Sequence, residues 1–280
     1  MESAKKSLGQ HWLHDEPTLN YICDAANLKP GETVLEIGPG TGTLTKKLLE
    51  RGAKTVAVEK DEALATRLQG QALQQDSALQ GQSLQLEVVA GDILEFDLRR
   101  LPSSYKVVAN IPYYLTSNLL RVLSESVDPP SLMVLLVQKE VAERLCAGPG
   151  QMSLLAVSIQ LYYRPELGKI VPAELFTPSP KVDSQVVILH RLPATRIILV
   201  ANEVDEFMKV VKAGFSQRRK KLRSSLSGGL GIGKLEADAL LKEAGISGEQ
   251  RAQELSLEQW HNIYKASTIQ KSGSGVVQPE

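Results

Sequence analysis

The stretch VLEIGPGTGTLT, residues 34–45, decides the fold. An aliphatic run ends in three closely spaced glycines, Gly38, Gly40 and Gly42, and passes directly into an amphipathic segment. Main chain free of side chains at a strand-to-helix turn lets a ligand lie close. Tight packing alone produces such turns too, so the loop gains meaning only from its surroundings. Its spacing is G-x-G-x-G with Pro39 inside, whereas the dinucleotide fingerprint is G-x-G-x-x-G. With no plausible catalytic histidine or tyrosine–lysine pair, a nicotinamide-dependent oxidoreductase is disfavoured.

Outward from this loop, short β-branched runs alternate with helical patterns. TVAVE, LEVVA, KVVANI, LMVLLVQ and SQVVILHRL read as strands; segments from about Asp61 and Ser117, KEVAERL and SLLAVSIQLYY read as helices. DEPTLNYICDAANL, before the loop, reads as a helix capped by Asp15, with Pro17 in its first turn. Runs apolar on both faces, separated by amphipathic helices, predict an α/β domain with a mainly parallel, doubly wound sheet over 1–195. Beyond it only helical patterns remain, predicting a small all-helical domain over 200–268 and a flexible tail over 269–280. The last helix opens with a capping box, Ser256 with Gln259. The glutamine-rich stretch 69–85 extends a helix and then loops.

Composition excludes little. With 280 residues, 42% of them hydrophobic and 23% charged, the chain can bury a core without covalent staples and is not disordered as a whole. Two distant cysteines, Cys23 and Cys146, suit free thiols in a reducing compartment. The four histidines, His11, His14, His190 and His261, have no ligand spacing, so no metal is expected. No segment reaches eighteen apolar residues and the opening MESAKKSLGQ lacks an apolar core, which predicts a cytoplasmic protein without a membrane span. The net charge of zero conceals a run from 209 to 223 with seven cations and no acid.

Two acids join the glycine loop. Glu59 ends the second strand of the alternation nineteen residues past Gly40, where a carboxylate can take ribose hydroxyls. Asp92 follows the third. Carboxylates there repel a pyrophosphate and suit a nucleoside with a cationic tail, as in S-adenosylmethionine. A lone strand-end acid is more often a helix cap; three consecutive strands carrying such features raise the nucleoside reading. The fourth strand ends in ANIPYY, bringing Asn110, Pro112 and Tyr113 to the same crevice. Asn and Pro also simply close strands in turns.

These residues closely resemble the KsgA-type ribosomal RNA adenine N6-dimethyltransferase family, relatives of the erythromycin-resistance methyltransferases. The resemblance runs in order through KKSLGQHWLHD, LEIGPGTGTLT, VAVEKD, ANIPYYLTS, LFTPSPKVDSQVV and FSQRRKKLRSSL, nearly the whole chain. It implies a Rossmann-like class I methyltransferase domain with a seven-stranded sheet, binding S-adenosylmethionine through His11, Leu13, Gly38, Gly40, Glu59, Asp92 and Asn110. An asparagine usually stands where this chain has His11, so a backbone contact there survives while a side-chain contact is open. The chemistry fits these residue types. Adenine N6 is a poor nucleophile because its lone pair is delocalised, and acceptors aimed at its two hydrogens favour a tetrahedral nitrogen. Asn110 and a backbone carbonyl at Ile111 or Pro112 can supply them, with Pro112 rigidifying the turn. Tyr113 can stack on the base, worth about 1–3 kcal/mol. Phe176 either packs on the base's other face or anchors its loop.

Arg218, Arg219, Lys220, Lys221 and Arg223 place five cations in six positions of an expected helix. Such a run is usually a solvated face; here local pairing of all five is excluded, and a phosphate backbone is the better partner. The resemblance names the RNA as 16S rRNA near its 3′ end, in the 30S subunit or its precursor, dimethylated at two adjacent adenosines by a monomeric enzyme. Two further readings remain: the same chemistry on one large-subunit adenosine, and a non-catalytic RNA, assembly or transcription factor.

Overall fold

The computed structural model describes residue 5 and residues 8–78, 85–199 and 203–273. By its contacts the chain divides into two compact units, Met1–Glu143 with Arg164–Arg191, and Arg144–Tyr163 with Leu192–Glu280.

The first unit is built on a seven-stranded sheet. Its parallel strands are β2 (Thr33–Ile37), β3 (Lys54–Glu59), β4 (Leu86–Ala90), β5 (Lys106–Asn110) and β6 (Leu132–Gln138). With β7 (Tyr163–Val171) and β9 (Ser184–Arg191) the order is β4-β3-β2-β5-β6-β9-β7, and β9 runs antiparallel to β6. From β2 the chain winds one way to β4, then returns to lay β5 on the other side of β2. The carboxyl ends of β2 and β5 therefore flank the crevice where α/β sheets bind ligands. A two-residue pair, β1 (Trp12–Leu13) with β8 (Phe176–Thr177), forms a separate antiparallel ribbon.

The helices follow the expected apolar stripes. In α1 (Glu16–Ala25) the Asp15 carboxylate accepts the Thr18 N–H at 2.9 Å. Its buried Leu19, Ile22 and Cys23 share a core with Val34, Val108, Val134, Leu136, Val186 and Ile188 of the sheet. Burial pushes the Cys23 thiol up to about 12, so it acts as a small apolar side chain. α2 (Thr43–Glu50), α3 (Glu62–Ala78), α4 (Thr116–Ser124) and α5 (Lys139–Leu145) follow β2, β3, β5 and β6.

β7 has no counterpart in the sequence reading. YRPELGKIV contains Pro165 and Gly168 and is mostly exposed, features that argue against a strand. They are tolerated because β7 is at the sheet's edge, where one row of N–H groups needs no partner.

The second unit holds α6 (Leu154–Gln160), α7 (Glu203–Phe215), α8 (Leu222–Leu230), α9 (Lys234–Glu243) and α10 (Leu257–Gly273). The sequence boundary at 195 put α6 in the first domain, yet Met152, Ala156, Val157 and Leu161 share a core with Phe207, Leu222, Leu240 and Trp260. Burial, not chain order, assigns it. The expected capping box is present: Ser256 N–H donates to Gln259 Oε1 at 2.8 Å, and Gln259 N–H to Ser256 Oγ at 3.2 Å. α10 continues to Gly273, later than the expected start of the tail at 269. Residues 274–280, and 79–84 of the glutamine-rich stretch, lie outside the described residues. Among the described residues no helix is long and apolar enough to cross a membrane, and no cluster of three potential ligands could hold a metal.

Candidate active site

A cleft opens at the carboxyl ends of β2–β5, lined by residues 8–13, the glycine loop, Glu59, Lys60, Asp92 and residues 110–115. Gly38, Gly40 and Gly42 all have positive φ, at 65°, 58° and 81°, which side chains rarely adopt. Glu59, 5% exposed, fixes this loop: one carboxylate oxygen accepts the Gly40 N–H at 3.0 Å, the other the Asp61 N–H at 2.8 Å. Burial raises its pKa, opposed by these N–H donors. With its backbone donors satisfied, the carboxylate keeps acceptor capacity for a hydroxyl. Asp92 pairs with Lys60 at 2.7 Å and accepts the Leu94 N–H at 3.0 Å, and the Lys60 bond holds its carboxyl below the usual range.

The roof of this cleft was only partly legible. A Cβ on Gly40 would lie 3.0 Å from the indole Cδ1 and Nε1 of Trp12, a residue the sequence reading passed over. The Trp12 Nε1–H is buried without a hydrogen-bond partner among the described residues. Lys5, paired with Asp61 at 2.9 Å, ties the chain before this roof to the end of β3. Leu13, 2% exposed, lines the cleft as expected for an apolar wall. An orphaned donor beside a glycine-rich loop, acceptors at the end of β3 and apolar walls fit a nucleoside with an amino-acid tail, the shape of S-adenosylmethionine.

Beside it lies a second cavity of about 550 Å³, lined by Gln10, His11, Tyr113, Gln138 and residues 178–182. His11 and Tyr113 border both cavities. Their rings stack, with centroids 5.7 Å apart and planes inclined by 22°. His11 Nδ1 lies 2.7 Å from the Pro178 carbonyl, which can only accept, so Nδ1 carries a proton. The Tyr113 hydroxyl is anchored to Ser184 Oγ at 2.8 Å, and burial raises its pKa, keeping the phenol neutral.

Asn110 lines the first cavity and is bonded to His11, which borders both. Its Nδ2 donates to the backbone carbonyl of His11 at 2.9 Å. That carbonyl cannot donate, so the amide's orientation is fixed and Oδ1 is left as an acceptor without a partner among the described residues. The second acceptor is narrowed as well. Pro112 O already accepts the Leu115 N–H at 3.0 Å as the chain turns into α4, whereas Ile111 O accepts no hydrogen bond among the described residues. Position 11 thus contributes its backbone to Asn110 and its ring to Tyr113.

Two sequence expectations are corrected. Phe176 is only 3% exposed and lines neither cavity; β8 pairs with β1 so that Phe176 stands opposite Leu13, and both enter the core. It anchors its loop. The basic run, considered within its own unit, is not one helix: Arg218, Arg219 and Lys220 occupy an exposed turn, and α8 begins only at Leu222. Two of the five cations are paired. Lys221 pairs with Glu249, and Arg223 with Asp238 at 3.5 Å and Glu249 at 3.8 Å.

Comparison with known proteins places these features in context. Residues 1–268 match the family model described as ribosomal RNA adenine dimethylase. Among curated relatives, the ribosomal RNA small subunit methyltransferase A of Dehalococcoides mccartyi strain 195 is 42% identical over 260 residues, covering 92% of this chain and 86% of the relative. That of Synechocystis sp. is 38% identical, covering 91% and 93%. Among solved structures, a dimethyladenosine transferase from Plasmodium falciparum matches with TM-score 0.76 and 26% identity over 94% of this chain and 98% of that one. The 23S rRNA methyltransferase ErmE matches with TM-score 0.69 and 28% identity, over 91% and 98%.

Proposed function

The chain belongs to the ribosomal RNA adenine dimethylase family, and on that premise we propose that it dimethylates N6 of two adjacent adenosines near the 3′ end of 16S rRNA, using S-adenosylmethionine. One observation carries the chemistry: in the cleft at the strand ends, the Asn110 amide is held by the carbonyl of His11 with its oxygen free, and His11 and Tyr113 connect that cleft to a second cavity.

The residues divide the work. Gly38 and Gly40 give close main-chain approach, Glu59 and Asp92 offer acceptors to the nucleoside, and the Trp12 N–H is available to a carboxylate. When bound, S-adenosylmethionine supplies a methyl group on a cationic sulfur. In the second cavity the target base stacks on Tyr113, whose anchored hydroxyl prevents the ring from turning. Asn110 Oδ1 and Ile111 O accept the two N6 hydrogens and draw the nitrogen towards tetrahedral geometry, exposing its lone pair. No side chain is required as a base, since the methylated nitrogen is acidic enough to lose its proton to water. Catalysis is orientation plus preorganised acceptors.

Arg218, Arg219 and Lys220 contact RNA phosphates, with Lys221 and Arg223 joining by exchanging their carboxylate partners. The enzyme acts as a monomer in the cytoplasm on the assembling small subunit. The test is methyl transfer from labelled cofactor to undermethylated small subunits and to large subunits. Uptake by the small subunit alone is expected; uptake by large subunits alone would instead favour the activity named for ErmE, the less similar relative.

A further inference from the structure

We propose that Gln138 is a recognition residue for the target adenine, its side-chain N–H donating to a ring nitrogen of the base stacked on Tyr113; this rests on the function proposed above.

Gln138 ends β6 and lines the second cavity with Tyr113 and His11. Its side-chain amide makes no hydrogen bond with any described residue, although the residue is half-buried. The amide therefore faces the cavity with its donors and acceptor uncommitted to the protein, available to a ligand that enters it. The strand register makes this amide one of a set. Asn110 is aligned with Leu136, and Gln138 with Ser184. Aligned residues on neighbouring strands share a face, as do residues two apart along a strand. Asn110, Gln138 and Ser184 therefore project from the face that carries Val108, Val134, Leu136, Val186 and Ile188 into one core.

Three polar residues thus stand in a row at the strand ends, and two are already committed. Asn110 is held by His11, and Ser184 holds the Tyr113 hydroxyl. Of the three, only the Gln138 side chain makes no hydrogen bond with a described residue. By strand spacing and rise, its Cα is about 8 Å from that of Asn110, a gap that two amide side chains can close around one base. Once Asn110 and a carbonyl take both N6 hydrogens, adenine's heteroatom edges present only acceptors, at N1, N3 and N7. A carboxamide can donate to one of them; a carboxylate cannot. Guanine lacks the exocyclic amine at that position and carries hydrogen on N1, so the same arrangement rejects it.

The test uses small subunits reconstituted with adenosine, 1-deazaadenosine, 3-deazaadenosine or 7-deazaadenosine at the target position, and compares wild type with Gln138→Leu and Gln138→Glu. Thermal melting and calorimetric cofactor binding confirm that each variant folds and loads. Wild type is expected to lose about 5- to 20-fold in kcat/KM on one deaza substrate. Both variants should show that loss on adenosine, and no further loss on the same deaza substrate. Wild-type transfer to adenosine that Gln138→Leu matches within twofold, or a deaza penalty equal in wild type and variant, overturns the assignment alone. Wild-type enzyme that leaves adenosine subunits unmethylated overturns the functional reading and the assignment with it.

Discussion

Replacing Asn110 with aspartate separates the presence of an acceptor from its orientation. The two side chains have nearly the same shape, and aspartate has more acceptor capacity, not less. What it lacks is the N–H that meets the His11 carbonyl at 2.9 Å. In Asn110→Asp that carbonyl faces a carboxylate oxygen, and leaving a part-buried acceptor unpaired costs about 1–3 kcal/mol before any repulsion is counted. The side chain must rotate away, taking its oxygen off the line to the base. Charged to the transition state, that cost reduces single-turnover transfer by about 5- to 150-fold. Cofactor affinity should be unchanged or tighter, since a carboxylate is added near a cationic sulfonium. Asn110→Ala removes the acceptor altogether, and loss of one preorganised polar contact of this kind reduces kcat by about 10²–10³. Rapid-quench transfer to undermethylated small subunits, with calorimetric cofactor binding, measures both. An aspartate variant within threefold of wild type would show that the His11 carbonyl does not set the amide's orientation. An alanine variant that loses cofactor affinity in proportion to rate would make the residue merely structural.

Gly40→Ala should weaken cofactor binding and lower the melting temperature, because φ is 58° and the new Cβ would sit 3.0 Å from the Trp12 indole; unchanged calorimetric affinity would refute the close-approach role. Glu36, fully buried beneath the loop, has its pKa raised by burial to about 8. The folded state therefore retains a proton that the unfolded chain releases near 4.5, and stability falls as pH rises from there to about 8. Glu36→Gln should melt progressively higher than wild type across that window, and a constant difference would contradict the shift. His11→Ala keeps the backbone carbonyl and removes the ring from Tyr113; small-subunit affinity should fall while cofactor affinity holds, and the reverse pattern would return the side chain to the cofactor. Joint alanine replacement of Arg218, Arg219 and Lys220 should reduce the slope of log affinity against log salt by about 0.7–0.9 per lost phosphate contact, and Lys221→Ala by less, because Lys221 is paired with Glu249. Equal changes would mean that pairing does not matter.

Most of the α/β architecture is written in local pattern, because β2–β6 are β-branched runs too short for helices and bounded by turn residues, with β2, β3, β5 and β6 largely buried. β7 is not, since an edge strand can carry Pro165 and charge that a central strand could not. The glycine loop, Glu59, Asp92 and Asn110 were legible because strand ends converge on one crevice. What holds them was not: His11 meets Asn110 across 99 residues and Lys5 meets Asp61 across 56. Phe176 was left open between a base contact and a loop anchor because nothing local decides it, and the pairing of β8 with β1, which turns it inward, favours the anchor. Which cations of the basic run are paired was not legible, because their partners, Asp238 and Glu249, come after it in sequence and close only in the fold.

The most direct measurement is nucleotide-resolved mass spectrometry of rRNA from undermethylated small subunits incubated with the purified protein and S-adenosylmethionine. The expected product carries two N6 methyl groups on each of two adjacent adenosines near the 3′ end of 16S rRNA, and none when Asn110→Ala is used over the same time. Unmodified adenosines, or methylation at one isolated adenosine elsewhere, would contradict it.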